Sequence, residues 1–440
     1  MDEISSICAC TVDLFLDRIE FATYVYGERK NINIIHDAQN CLFNNSYTEY
    51  DLAVHLDHGL TLKHCNLGAI REKAPDFYVT ACKIAEYARS HQLNITNQSE
   101  RESVILRRAK FLGETKWSKL SCGGAVDMDL MYSNLLLDPD LLPVLDRYQI
   151  RDQAYITVNF GADKNMGGTA QTKVLPLSTI AALVQLFKER HPEILVVQTG
   201  VKNSMKIPGA DRYAFNCKLG ETAILLKHSM CHVDSEGGLV HMASQLSTPC
   251  VVSFGPTPVY YYGYPRNKNI VAPACNDCMS TTPQWSRVCP RSLQIPDCMA
   301  SITAEMLLDT VEAVLLEVQS SQADKSAIPM CQGIPDTLAG AEICIISGLT
   351  KATVQTAESL RRAGNTVTIF ISADIDDEIV QYRTRLKKSG ITVEYGTAFN
   401  IARPTSKFDA VLCEKVEPKW EQYGIAECRR ILKNDGMLIW

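Results

Sequence analysis

Three things are scarce in this chain of 440 residues, and each scarcity excludes a class of protein. No apolar run approaches the roughly 18 residues that a membrane-spanning helix needs. Positive charge is not in excess. The formal net charge is −6, whereas a general nucleic-acid binder presents a basic face to the phosphate backbone. A small basic pocket for a diphosphate is still compatible with that balance. The opening residues, MDEISSICACTVDLFLDRIEF, are acidic and helical in period. They lack a basic stretch leading into an apolar one, which predicts no secretory signal. Internal repeats and low-complexity tracts are also missing. The expected setting is cytoplasmic, with no transmembrane segment. Peripheral membrane contact is compatible with the composition, and the oligomeric state is not readable.

What is abundant fits a soluble globular protein: 46% hydrophobic and 21% charged residues. The length exceeds what one ordinary core serves, so two or three domains are expected. Cysteine is plentiful and odd in number, at 17. Without a secretory signal, reduced thiols and one metal site fit that count better than a disulfide framework.

Within a lobe and connector spanning 1–150, residues 1–120 alternate short apolar runs with polar helical stretches. Segments 33–37 and 50–56 predict buried strands, 76–91 and 98–112 amphipathic helices, and 121–150 a connector. A second α/β unit starts at 154–161 and continues through helix 176–190, strand 194–198 and helix 220–228. It closes with a periodic helix over 303–318 that Thr303 caps, giving a lobe over 151–318. Residues 319–336 are polar with two prolines and read as a linker, placed within 319–340. Residues 341–440 begin again as α/β, with strands at 343–347, 366–371 and 408–413 and a helix at 351–363. They stop inside an apolar run, Met437 to Trp440, which predicts a partial third domain.

The chemistry concentrates in residues 231–298. A strand-like run leads into Asp234-Ser235-Glu236-Gly237-Gly238-Leu239-Val240-His241, the start of a helix. A glycine-rich acidic turn there aims free backbone N–H groups at an anion, and a neighbouring carboxylate can bind sugar hydroxyls. A second apolar run, Cys250 to Phe254, ends in Gly255-Pro256-Thr257-Pro258. Cys275, Cys278, Cys289 and Cys298 follow with spacing C-x2-C-x10-C-x8-C. Two thiolates on a tight knuckle and two more complete a tetrahedron around one metal ion. Zinc and iron both suit four thiolates. Such a closed site is structural, so no catalytic metal is expected.

Glu236-Gly237-Gly238-Leu239-Val240-His241, then Pro249 and Phe254-Gly255-Pro256-Thr257, resemble the family 9 glycosyltransferases, the heptosyltransferase-like enzymes. The family's acid is usually Asp; here Glu236 occupies its place, with Asp234 two positions earlier, and either could face the sugar. Val158 to Gly161 followed by Thr172-Lys173-Val174-Leu175-Pro176 is also similar to the family. So is Asn216 to Thr222, where Glu221 would touch ribose or simply cap a helix. The resemblance covers about residues 30–318 and implies an α/β GT-B fold, two Rossmann-like lobes, with the partial Rossmann-like domain appended. It implies transfer of a sugar (heptose-like or another hexose) from a nucleoside-diphosphate donor to a glycan or protein acceptor, such as a bacterial surface polysaccharide, with inversion. Gly161, Lys173, Glu221, Asp234, Glu236, Gly237, Gly238 and His241 would form the donor site, with Lys173 on the leaving diphosphate.

The family pattern fails at the N-terminus. Residues 1–30 show neither the expected apolar strand nor its Gly-Asp, whose Asp is the catalytic base. Asp37 and Asp57 are substitutes at strand ends. Asp57, with His55 and His58 beside it, is the better one, because strand carboxyl ends face the crevice of an open α/β sheet. Two rivals follow: a catalytically silent nucleotide-sugar scaffold, and a sugar-modifying methyltransferase seated in residues 341–440. Lys407 to Leu412 and Glu427 to Leu438 are weakly similar to methyltransferase strand regions. The glycine-rich cofactor loop is replaced by Ser347-Gly348-Leu349-Thr350, so no S-adenosylmethionine binding is predicted.

Overall fold

The computed structural model describes residues 8, 10–16, 19–26, 31–35, 46–56, 60–93, 95, 97–126, 135, 137–161, 171–325, 330–331, 338–371, 377–401, 403, 405–413 and 420–440. The N-terminal part holds β1 (Val12–Phe15), α1 (Glu20–Tyr26) and β2 (Ile32–Ile35), with β1 and β2 paired in parallel. This corrects the expectation that residues 1–30 contain no strand. The run Val-Asp-Leu-Phe carries branched and aromatic residues that suit a pleated surface, and pairing with β2 overrides its helical period. β3 (Leu52–Leu56) and β4 (Leu60–Cys65) form an antiparallel hairpin. Helices α2 (Leu67–Lys73), α3 (Pro75–His91), α4 (Gln98–Leu112) and α5 (Lys116–Leu120) follow, then the short α6 (Pro143–Arg147) within the connector.

The central lobe is a six-stranded parallel sheet. Its strands are β5 (Tyr155–Val158), β6 (Leu195–Thr199), β7 (Arg212–Ala214), β8 (His232–Ser235), β9 (Cys250–Phe254) and β10 (Lys268–Val271). Their order is β10-β9-β8-β5-β6-β7. Every residue of β5, β8 and β9 is buried, as a parallel sheet covered on both faces requires. Along β5, Tyr155 enters one core while Ile156 and Val158 enter the other. The helices of this lobe are α7 (Leu177–Arg190), α8 (Leu219–Lys227), α9 (Gly238–Gln245), α10 (Val259–Tyr262), α11 (Asp297–Ala300) and α12 (Ala304–Lys325). α7 buries Ile180, Leu183, Val184 and Phe187, one stripe at helical spacing, against α12.

α12 runs through the first part of the expected linker, to Lys325, so the polar segment is helical there. Thr303 Oγ1 accepts the Met306 N–H at 3.2 Å and caps its start. Beyond it lies a second six-stranded parallel sheet. Its strands are β11 (Met330–Cys331), β12 (Glu342–Ile346), β13 (Thr366–Ile371), β14 (Thr392–Tyr395), β15 (Phe408–Cys413) and β16 (Leu432–Ile439), with α13 (Lys351–Arg362), α14 (Asp377–Lys388) and α15 (Glu421–Ile431). The order is β11-β16-β15-β12-β13-β14. The terminal apolar run is therefore paired on both sides, and β11 lies inside what the sequence presents as linker. After β12, Leu349 sits at φ +57 with its side chain buried, and Thr350 caps α13.

Candidate functional site

The order of the central sheet reverses between β5 and β8: β6 and β7 extend one way, β9 and β10 the other. The carboxyl ends of two such strands open a crevice, and both glycine turns singled out in the sequence lie there. Gly161, just after β5, has φ +95. A Cβ at this position would come within 3.1 Å of the Lys173 carbonyl oxygen and 3.2 Å of Val174 Cα. Glycine thus lets the segment carrying Lys173 pass directly against the strand end.

The two acidic candidates are now separable. Asp234 is 2% exposed and fastens the turns together. Its Oδ1 accepts the Gly161 N–H at 2.8 Å and the Ser235 N–H at 2.7 Å, and its Oδ2 accepts from Asn159 at 3.3 Å. Glu236 is the carboxylate turned towards the charged groups. It is 6% exposed, with Oε2 2.6 Å from Lys173 Nζ and Oε1 3.3 Å from His241 Nε2. Burial alone would raise its pKa, but the His241 hydrogen bond and the Lys173 charge outweigh it and bring the carboxyl down to about 2. His241 lies one turn into α9, and its Nδ1 is 3.1 Å from the Tyr264 hydroxyl, which also accepts from Gln245 Nε2 at 3.1 Å.

Gly237 and Gly238 leave the approach open. Gly237 caps α9 without a side-chain hydrogen bond, and a Cβ on Gly238 would meet nothing within 4 Å. No side chain therefore crowds Gly238 at the start of α9, where the helix dipole favours negative charge.

Sequence reasoning missed a second cation. Lys116, on α5 of the N-terminal part, stands 5.5 Å from the Trp117 ring centre and 5.7 Å from that of Tyr262. The Trp117 ring packs on Tyr264 at 4.6 Å. Burial lowers the Lys116 pKa, the Glu236 charge opposes that, and the Lys173 charge adds to it. The group thus runs from Lys116 through the aromatic rings and His241 to Glu236 and Lys173. Nothing local marks Lys116 in the sequence; only the packing of α5 onto Tyr262 and Tyr264 brings it here.

Glu221 serves as a helix cap. It accepts the Lys218 N–H at 2.8 Å and pairs with Arg147 at 3.0 Å. Asp37, Asp57 and His58 lie outside the described residues. β3, which precedes Asp57, is paired antiparallel, so the crevice rule for parallel strands does not select that end.

Cys275, Cys278 and Cys289 lie in the loop after β10 and Cys298 in α11, with Cys289 and Cys298 buried. Burial, then the Cys289 and Cys275 thiols, push Cys278 up to about 11. Burial and the Cys275 and Cys278 thiols push Cys298 up to about 12. The thiols of this group are thus close enough to act on one another. Among the described residues no three His, Cys, Asp or Glu side chains form a metal-holding group. The loop is anchored meanwhile by backbone bonds from Asp277 to Gly255 (3.0 Å) and Met279 to Pro256 (2.9 Å). It also touches the N-terminal part, through Lys110–Asp277 at 2.8 Å and Ser280–Glu102 at 2.8 Å.

Among the described residues no helix is long and apolar enough to cross a membrane. No family model matches the chain, and no curated protein does. Among solved structures it is similar to the ADP-heptose lipopolysaccharide heptosyltransferase II of E. coli. Identity is 16% over 45% of this chain and 57% of that one, with a TM-score of 0.34. It is also similar to the iron-containing dodecameric glycosyltransferase TibC of enterotoxigenic E. coli, at 16% identity over 45% and 49% of the two chains and a TM-score of 0.31. A family 9 glycosyltransferase from Veillonella parvula aligns at 14% identity over 70% and 89%, with a TM-score of 0.41. The chain spans about half the length of the first two.

Proposed function

We propose that this chain is an inverting glycosyltransferase that moves a sugar, heptose-like or another hexose, from a nucleoside-diphosphate donor to a hydroxyl of a glycan or protein. The observation that carries the proposal is Glu236, a buried carboxylate held between Lys173 and His241 at the switch point of a parallel sheet, beside two glycines open to the crevice. Donor binding would redistribute that charge. The Lys173 ammonium and the first amides of α9 meet the diphosphate, whose negative charge grows as the sugar leaves. Glu236, kept anionic by its neighbours, then accepts hydrogen bonds from sugar hydroxyls. In the displacement a base removes the acceptor proton, the acceptor oxygen bonds to the anomeric carbon, and the bond to the diphosphate breaks.

The base belongs to the N-terminal lobe. Asp57 is the candidate carried from the sequence. A second candidate is Asp17, which follows β1 in sequence and also lies outside the described residues. A structural zinc or iron on Cys275, Cys278, Cys289 and Cys298 completes the proposal. It would fix the loop that joins the Gly255 turn to α4 and takes no part in the chemistry. Calorimetric titration with nucleoside diphosphates and nucleotide sugars, with an assay of donor hydrolysis, tests the reading. Failure of every nucleoside diphosphate to bind would refute it. Binding without hydrolysis or transfer would return the chain to a silent scaffold.

A further inference from the structure

The loop between β10 and α11, which carries Cys275, Cys278 and Cys289, lies against the segment that holds Lys173. That segment makes a single 3₁₀ turn, Gln171–Lys173, shortly before α7. Thr172 is 4% exposed within it. Its N–H and its hydroxyl both donate to the Ser286 carbonyl, each at 3.3 Å. Two residues beyond Lys173, the Leu175 N–H donates to the Phe160 carbonyl at 3.0 Å. The Lys173 backbone therefore stands between two anchors, one on the loop and one just past β5.

Ser286 is itself held. The Gln284 carbonyl accepts the Arg287 N–H at 2.8 Å and the Val288 N–H at 2.9 Å, which closes a turn around Ser286. On one side Trp285 packs against the core cluster that contains Tyr261 and Tyr262. On the other, Val288 leads into the buried Cys289. The same loop is fastened to α4 by Lys110–Asp277 and Ser280–Glu102. A strut thus runs from the N-terminal part, through the loop, to the backbone beside Lys173. A long side chain loses rotamer freedom when it meets a ligand, and a backbone fixed beforehand adds nothing to that loss.

We infer that Thr172 is a positioning residue for Lys173 and that the cysteine loop is the wall it is held against. Diphosphate binding and the order of that loop are therefore coupled. The inference rests on Lys173 as the cation of the donor site. Thr172 does not touch the ligand; its hydroxyl acts through the backbone of the next residue. Such coupling is reciprocal, so a loop that improves binding is tightened by binding.

The probes are ADP, GDP and UDP, titrated into the full chain by calorimetry. Hydrogen exchange at the Arg287 and Val288 amides is then followed with the tightest of the three. Thr172→Val keeps the shape and the N–H bond and deletes only the hydroxyl bond, which should weaken binding about three- to tenfold. Thr172→Ser keeps the hydroxyl and should bind within about twofold of the original chain. In a Lys173→Ala background, Thr172→Val should cost nothing further, because one residue acts through the other. Saturating nucleotide should slow exchange at both amides about threefold or more in the original chain, and leave it unchanged in Thr172→Val. Should that variant fail to fold, exchange in the original chain still tests the coupling. Unchanged affinity in Thr172→Val, no rescue in Thr172→Ser, or an equal loss in the Lys173→Ala background would each overturn the inference. So would loop exchange indifferent to nucleotide. In all four cases the donor reading stands, because the original chain binds. Binding of none of the three nucleotides would overturn both.

Discussion

Two lysine–glutamate pairs sit at opposite ends of the central sheet. Lys173–Glu236 closes to 2.6 Å and Lys227–Glu427 to 2.8 Å. Both carboxyls are drawn down to about 2 against the effect of burial, Glu236 by His241 and Lys173, Glu427 by Arg430 and Lys227. The pairs differ in what surrounds them. Lys227 donates to Glu427, to Asn400 Oδ1 at 3.2 Å and to the Leu246 carbonyl at 3.1 Å, using all three of its N–H groups. Glu427 accepts from Lys227, twice from Arg430, and from the Ile401 N–H at 2.7 Å. That network is saturated and spans two domains. Lys173, among the described residues, has Glu236 as its one partner, next to open glycines. Burial and a depressed carboxylate pKa are common to both, so neither marks function. Spare donor capacity beside free space is what sets Lys173 apart.

The saturated pair gives the largest expected effect. Glu427→Ala leaves two buried cations without their carboxylate, which should cost roughly 3–5 kcal/mol of stability. Thermal or urea unfolding reads it, and replacing Lys227 and Glu427 together by Met should recover much of the loss. The pH dependence has a definite sign. The folded-state pKa is depressed, so Glu427 contributes fully above its ordinary value of 4.5 and loses that contribution as pH falls towards about 2. Glu427→Ala should flatten this acid limb. Loss of nucleotide binding with stability intact would invert the comparison.

The unsaturated pair should show the opposite pattern. Lys173→Ala removes a charge-assisted contact and should weaken nucleoside-diphosphate binding by about 1.5–3 kcal/mol. The cost in stability should be smaller than that of Glu427→Ala. Calorimetry and a melting curve on the same variant test both halves, and unchanged affinity would make Lys173 a plain loop lysine. Glu236→Gln separates the roles further. It should spare affinity for the free nucleoside diphosphate and weaken the sugar-bearing donor by about 1–2 kcal/mol, one hydrogen bond to a charged group. Equal losses for both ligands would assign Glu236 to the turn rather than to the sugar.

The cysteine loop ranks next, because its effect falls on architecture. Elemental analysis should find close to one zinc or iron per chain, and Cys289→Ser should lower both metal content and melting temperature. Metal-free protein with four titratable thiols and undiminished stability would leave the loop to its backbone bonds with Gly255 and Pro256.

Long periodic elements were legible. The helices predicted at 98–112 and 176–190 lie at Gln98–Leu112 and Leu177–Arg190, because a buried stripe at helical spacing repeats over several turns. β7, only Arg-Tyr-Ala, and β10, half exposed, are too short to show a period. The stretch Glu427 to Leu438, read as a strand region, is strand from Leu432 on, but its first residues end the helix Glu421–Ile431, which buries Gly424, Glu427, Cys428 and Ile431. Glu427 breaks the expected apolar stripe because its charge is met by Lys227 of the central lobe and by Arg430 on its own helix. Of the candidate site, the glycine turns, Lys173, Glu236 and His241 were named through the resemblance of two separate short motifs, and the structure brings Lys173, Glu236 and His241 together. Which acid faces the crevice was not legible, because that depends on Gly161 and Asn159 claiming Asp234 from the neighbouring strand.

The smallest expected effect belongs to the residue the sequence did not mark. Lys116 reaches the crevice from α5, held over Trp117 and Tyr262 at 5.5 and 5.7 Å. Each such cation–ring contact contributes about 0.5–1 kcal/mol at a partly exposed site. A diphosphate placed between Lys116 and Lys173 would meet positive charge from both parts of the protein. It would also remove the repulsion between the two ammonium groups, which now adds to the lowering of the Lys116 pKa. Lys116→Met keeps the apolar stem and deletes the charge. It should weaken nucleoside-diphosphate binding by about 0.5–1.5 kcal/mol, less than Lys173→Ala. The two losses should also fail to add in the double variant, because both charges act on one ligand. Simple additivity would mean that Lys116 acts through the packing of α5 on Tyr262 and Tyr264. A loss exceeding that of Lys173→Ala would move the centre of the anion site from the central lobe to α5.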